Sequence, residues 1–226
     1  MKKIEPIPLN LDLDEIRAKL PEKQVLDWDH FKTLLEMSKP LIAARAVYKV
    51  SYILKKGEDA VDIDGILLRS RVLRNNLDKV ERVFPYVATI GASLEEKAKE
   101  TEDLMEQYYL DIIGNIALTR ARGFLADHLR SRFAIEGLSF MSPGSLDDWP
   151  LEEQRPLFLI LGDPTSSIGV RLNESLLMIP KKSLSGIYFP TEITFHSCQL
   201  CSRDNCIGRR APYNETLARE HGILPG

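Results

Sequence analysis

The sequence predicts an α+β fold, and three features carry that expectation. Residues 47–64, "VYKVSYILKKGEDAVDID", read as two β-branched and aromatic strands around a Lys-Gly-Glu-Asp turn. Residues 93–133 then form a long stretch in which apolar side chains recur at threes and fours, the period of an amphipathic helix. The composition, 44% hydrophobic and 28% charged over 226 residues, is that of a packed chain long enough to bury a core without staples. No repeat or flexible linker interrupts it, so residues 1–226 are expected to form one domain, with an N-terminal helical segment over about 1–40 and a C-terminal extension over about 190–226.

Taken in order, "LDLDEIRAKL" places Leu13, Ile16 and Leu20 on one helical face, and Pro21 ends it. A second helix, "DWDHFKTLLEMS", stops before Pro40, and the strand pair follows. Ser70 is placed to cap "RVLRNNLDKV", and "RVFPYVATIG" reads as a strand ending in a corner at Gly91. Ser93 and Glu96 have capping-box spacing, and the helical run beyond them is expected to break or bend near residue 101 or Gly114. Within it, Tyr108, Tyr109, Leu110, Ile112 and Ile113 read as a buried stripe. "SFMSPGSLDDWPLEEQ" is rich in turn formers and predicts an irregular loop before a helix opening near Pro150, with Trp149 as a packing anchor and Glu152 and Glu153 favoring the helix N-terminus. "GVRLNESLLMIPKKSLSGIYF" predicts a short strand pair bent at Pro180, Lys181 and Lys182. His30, His128 and His221 are scattered and read as surface or core histidines.

A formal net charge of -3 and a pI near 5.9 give no overall basic field, so a nucleic-acid partner is not expected. The opening "MKKIEPIPLNLDLDEIRAKL" turns acidic before any signal-type apolar core, and no apolar run approaches the length of about 18 residues that suggests a membrane span. A cytoplasmic protein with no membrane partner is the expectation.

"SPG" (142–144), "RLNESLLMIP" (171–180) and "SLSGIYF" (183–189), preceded by "ATIGASLEE" (88–96) and "LDIIGNIA" (110–117), occur in an order and spacing that resemble the activation domain of cobalamin-dependent methionine synthase. The resemblance covers roughly residues 80–190. It implies a twisted antiparallel sheet with long flanking helices. It also implies a module that binds S-adenosylmethionine and docks on a corrinoid-carrying methyltransferase or its cobalamin domain, so that oxidised cobalt is reduced and remethylated. The cofactors carry that chemistry, so no catalytic residue is expected. Ser142, Pro143 and Gly144 match the family's ligand loop, and Ser185, Gly186 and Tyr188 come with its second ligand segment. Phe140 stands where the family loop carries an arginine for the ligand carboxylate, Ser145 where it carries a tyrosine, and Thr119 where it carries an acid for the ligand ammonium. Weakened S-adenosylmethionine binding is therefore expected, with Arg120 or Arg122 as candidate replacements on the neighbouring helix.

All three cysteines fall within nine residues, in "HSCQLCSRDNCIGRR". Such spacing suits disulfides poorly and fits a reducing compartment. Cys198, Cys201 and Cys206 supply soft ligands for zinc or an iron-sulfur cluster, with His196, another chain or an exogenous molecule as the fourth. Arg203, Arg209 and Arg210 would lower the thiol pKa values. Free surface thiols are the plain alternative. The expected function is an accessory protein for reductive reactivation of a corrinoid-dependent methyltransferase, by S-adenosylmethionine binding or by electron delivery through a cysteine-held metal, with a possible electron-donor protein as a further partner. The alternatives are a non-enzymatic interaction module tied by structural zinc, and a plain S-adenosylmethionine-binding domain with inert thiols.

Overall fold

A computed structural model of the chain describes residues 1–21, 24–25, 27–203, 206 and 209–223. An edge strand β1 (Lys2–Ile4) precedes helix α1 (Leu13–Lys19), whose first turn is closed by the Asp12 carboxylate accepting from the Glu15 amide at 2.9 Å. The N-terminal segment is therefore not wholly helical. Helix α2 (Trp28–Ser38) is capped by Asp27, which accepts from the Asp29 and His30 amides. Strands β2 (Arg45–Tyr48), β3 (Ser51–Lys56), β4 (Ala60–Ile63) and β5 (Ile66–Arg69) follow. The expected turn at Gly57 does join β3 to β4, but Val47 and Tyr48 belong to the separate β2. Strand β5 lies outside the sequence reading. Its signal is Asp64-Gly65, both at positive φ, the two-residue hairpin pair that joins β4 to β5.

Ser70 caps α3 (Arg71–Asn76) as expected, its hydroxyl accepting from the Leu73 amide at 2.9 Å, and β6 (Arg82–Thr89) runs toward Gly91. Helix α4 (Ser93–Glu100) begins at Ser93 itself, with Ala92 in the cap position, so Ser93 and Glu96 do not form the expected capping box. The break falls at Thr101, and α5 (Leu104–Phe133) then runs 30 residues straight through Gly114. "SFM" is not loop but the end of β7 (Leu138–Met141). A single 3-10 turn after Pro150 leads into α6 (Gln154–Leu161), then α7 (Pro164–Ile168), β8 (Arg171–Leu172) and β9 (Met178–Ile179). The small β8–β9 hairpin turns over residues 173–177. Pro180 to Lys182 instead link β9 to the long β10 (Ser183–Pro190), and α8 (Glu215–Glu220) closes the described chain.

Every pairing in the main sheet is antiparallel. One edge of β6 takes β2 along its C-terminal half and β3 along its N-terminal half, so residues 45–56 act as one strand interrupted at Lys49 and Val50. The other edge of β6 takes β10, and β10 takes β7. Period-2 alternation sends Phe84, Tyr86, Ala88 and Tyr188 to one face and Val83, Val87, Ile187 and Phe189 to the other, and both faces are buried.

Helix α5 covers the first face. Its fully or nearly buried positions Tyr109, Ile113, Ala117, Ala121, Leu125 and Leu129 are spaced strictly by four. With about 100° per residue, each step of four drifts about 40°, so the stripe winds about 200° around a helix about 45 Å long. A straight rod crossing a twisted sheet needs that drift. Tyr108, read as part of the stripe, is instead 45% exposed.

The second face is closed by α3, α6 and the 142–150 loop, anchored by the fully buried Trp149. One carboxylate ties that loop to α3: Asp148 accepts from the Val72 amide at 2.9 Å, the Arg71 amide at 3.3 Å and the Ser70 hydroxyl. Glu153 accepts from the Arg69 amide at 2.8 Å, so its role is a tertiary bond rather than a charge preference of its own helix. We predict that D148A lowers stability by about 1.5–3 kcal/mol, the worth of charge-assisted hydrogen bonds to one carboxylate, as measured by urea unfolding. A loss below a few tenths would show that the loop is held by Trp149 alone.

Candidate functional site

Strand β10 is where the predicted ligand segments meet. Gly186 lies between Tyr86 of β6 and the β7 side of the sheet, and a Cβ there would sit 2.4 Å from the Met141 carbonyl oxygen, 2.8 Å from Ser142 Oγ and 3.1 Å from a ring carbon of Tyr86. The strand closes only because residue 186 has no side chain. Ser142 thus stands directly against Gly186, and the two segments share one side of the sheet. Pro143 is buried, and Gly144 takes φ +78° while its amide donates to the Trp149 carbonyl at 2.7 Å. Ser145, where the resemblance leads one to expect an aromatic, donates to the Ser142 carbonyl and only tightens the turn.

Tyr188 stacks on Tyr86 with ring centroids 4.6 Å apart, and its hydroxyl donates to the Arg122 carbonyl of α5 at 3.0 Å. Burial, and then the neighbouring Tyr86, push its pKa far up, so it stays a neutral donor. Tyr86 is fully buried, and its hydroxyl sits beside Ser142 without a hydrogen bond of normal geometry. Ser185 is turned away. Alternation along β10 puts it on the opposite face, where its hydroxyl donates to Gln154 Oε1 at 2.8 Å, so it does not join Gly186 and Tyr188.

Thr119 is exposed on α5. Of the two candidate arginines, Arg120 is committed to Glu15 at 3.0 Å, whereas the Arg122 guanidinium lies 4.4 Å from the Phe140 ring centroid. Arg210 lies 4.3 Å from the same centroid. The sequence reading treats Arg210 only as a neighbour of the thiols. Its place beside Phe140 is set by a chain return across 70 residues, which no local pattern signals.

The cysteine segment is organised by arginine. Residues 197–200 form a 3-10 turn, and the Arg209 guanidinium donates to the carbonyls of Cys198, Cys201, Arg203 and Ala211. The Arg210 amide donates to Cys198 Sγ at 3.5 Å. Burial pushes the Cys198 thiol up, but the amide and guanidinium of Arg210 outweigh it and leave the thiol below its ordinary range. Burial, then Arg210, likewise depress His196. Cys198 and Cys201 are half-buried and Cys206 is exposed. Among the described residues no three His, Cys, Asp or Glu side chains converge to hold a metal ion, so Cys198, Cys201, Cys206 and His196 are not gathered into the expected ligand set. The part of the motif at Asp204, Asn205, Ile207 and Gly208 lies outside the described residues.

A cleft of about 240 Å³ opens between α5, β7 and Thr194–His196, with Phe140, Tyr188 and Arg130 in its wall. A larger cavity of about 500 Å³ lies between α4 and α5, away from these residues, and is rimmed by the ion pairs Lys99–Glu95 and Lys182–Asp111. No helix among the described residues is long and apolar enough to cross a membrane.

No family model and no curated protein matches the chain. Among solved structures it is similar to the MetH reactivation domain bound to AdoHcy, with a TM-score of 0.56 and 14% identity over 87% of this chain and 80% of that one. The curled antiparallel sheet with its long covering helix is therefore the fold expected from the resemblance.

Two outcomes follow from this geometry. G186A drives a methyl group into the Met141 carbonyl and is expected to cost about 1–3 kcal/mol in urea unfolding, as overpacking does, whereas a neutral result would mean that β7 can slide. Alkylation of Cys198 by iodoacetamide, read by peptide mass spectrometry, follows the thiolate fraction. Removing the cation in R210Q favours the thiol, so the inflection moves to higher pH and the rate at neutral pH falls. An unmoved profile would disconnect Arg210 from the sulfur.

Proposed function

We propose that the chain is an accessory module for reductive reactivation of a corrinoid-dependent methyltransferase of the methionine synthase kind, and that it holds an S-adenosyl ligand beside β10. The observation that carries this reading is the meeting of Ser142 with Gly186, within a fold similar to a reactivation domain that was solved with AdoHcy. Two local features fit such a ligand. Gly186 lets the Ser142 loop close against β10 beside Tyr86, and among the described residues the buried Tyr86 hydroxyl makes no hydrogen bond of normal geometry.

In this role S-adenosylmethionine supplies the methyl group that returns reduced cobalt to its active form. The chain's own residues bind and orient. Ser142 offers a hydroxyl at the loop, the Gly144 turn holds the backbone in place, and the Tyr86–Tyr188 stack gives a rigid wall whose phenols stay neutral because burial disfavours the phenolates. The partner is the corrinoid-carrying domain of the methyltransferase, and a separate donor protein supplies the electron. The whole chain works as one unit.

The test uses a corrinoid methyltransferase lacking its own activation module, with its cobalt oxidised by one electron, a low-potential reductant and S-adenosylmethionine. Addition of the chain is expected to speed formation of methylcobalamin, followed by visible absorption. A rate equal to that of reductant and S-adenosylmethionine alone overturns the proposal.

A further inference from the structure

Two cationic side chains lie over the ring of Phe140, and the cleft it lines also holds the Arg130–Asp127 ion pair. Arg122 from α5 and Arg210 from the C-terminal segment lie 4.4 and 4.3 Å from the same ring centroid. Among the described residues neither guanidinium has an ion pair with an acid, in contrast to neighbouring Arg120, which pairs with Glu15, and Arg130, which pairs with Asp127. Attraction to the ring face holds the two cations in place but leaves their charge intact. The charges also oppose each other: Arg210 is exposed as a residue, but partial desolvation of its guanidinium first, and then Arg122, disfavour its charged form, against which the Cys198 sulfur supports it. A third polar group points to the same place. Tyr86 is fully buried, its hydroxyl sits beside Ser142 but makes no hydrogen bond of normal geometry among the described residues, and both guanidiniums act on it electrostatically.

Two cations that have no carboxylate partner of their own among the described residues, beside a buried hydroxyl, suit an oxyanion. We propose that Arg122 and Arg210, with the Tyr86 hydroxyl as a further donor, receive the carboxylate end of the chain's ligand next to Phe140. This rests on the S-adenosyl reading above and assigns the ligand's only anionic group to two residues from distant parts of the chain. The cation expected at position 140 is thereby replaced from α5 and from the C-terminal segment. It also gives the segment after residue 190 a function in ligand binding that needs no metal.

Calorimetric titration of the full chain, R122Q and R210Q with S-adenosylmethionine and with 5′-methylthioadenosine, which lacks the amino-acid end, tests the assignment. Each variant is expected to lose about tenfold to a hundredfold in affinity for S-adenosylmethionine, the worth of a charge-assisted hydrogen bond, and to keep its affinity for 5′-methylthioadenosine. R122K and R210K, which keep the charge, are expected to fall between. Equal S-adenosylmethionine affinity in wild type and both Gln variants overturns the proposal, as does an equal loss for both nucleosides. If wild type binds neither nucleoside, the S-adenosyl reading fails, and the anion site is judged separately by the chlorine-35 NMR linewidth of chloride. Excess broadening that acetate displaces and that the R122Q/R210Q double variant lacks supports the site; identical broadening in wild type and double variant removes it.

Discussion

The candidate site depends on one constraint, the burial of β10 on both faces and both edges. Paired with β6 and β7, covered by α5 on one side and by α6 and the Trp149 loop on the other, it has no freedom to shift register. A slip of one residue would expose Tyr188 and Leu184 to the wrong core and put a side chain where Met141 and Ser142 now touch Gly186. The register therefore fixes at once which face carries Tyr188, where the Ser142 loop begins and why Ser185 serves the opposite face. Each exchanged side chain would forfeit about 1.5–3 kcal/mol of burial, so the constraint is energetically strong.

How far the sequence shows this depends on the distance over which each feature is decided. Ser70 is legible as a cap because its partner, the Leu73 amide, is three residues away, and the helix ends at Pro21 and Thr101 are similarly local. The α5 helix is legible from spacing alone, although its winding stripe is not, because the drift answers a sheet twist formed by other residues. Strand β7 is lost among turn formers, since its three or four strand residues gain meaning only from β10, some fifty positions later. Gly186 is legible as a glycine near the ligand by resemblance, but its cause, a carbonyl and a hydroxyl from the β7 end, is entirely non-local. Ser185 illustrates the converse: adjacency to Gly186 in sequence suggests a shared site, and strand alternation separates them.

The cysteine segment shows how one composition supports two physical schemes. Three thiols and a histidine within eleven residues suggest a metal that would order the loop. Among the described residues Arg209 also ties this loop, its planar guanidinium spanning four backbone carbonyls, a task for which its fixed fork of donors is suited and a lysine is not. The next residue faces the other way. Arg210 gives its amide to Cys198, while its guanidinium lies over Phe140 and also acts on the Cys198 sulfur.

That placement bears on why an aromatic residue is compatible with anion binding at position 140. A carboxylate beside Arg122 and Arg210 would also hold them, but by neutralising them, and a ligand anion would then have to displace it. A phenyl ring attracts cations through its quadrupole, worth about 0.5–2 kcal/mol according to exposure, and leaves the net charge for the guest. It also excludes water from one side of each guanidinium, which lowers the local dielectric and strengthens any hydrogen bond made on the other. Phe140 is thus not a vacancy where a cation is missing. It is the ring over which two cations from distant segments lie, and the proposed carboxylate would meet them and the buried Tyr86 hydroxyl together.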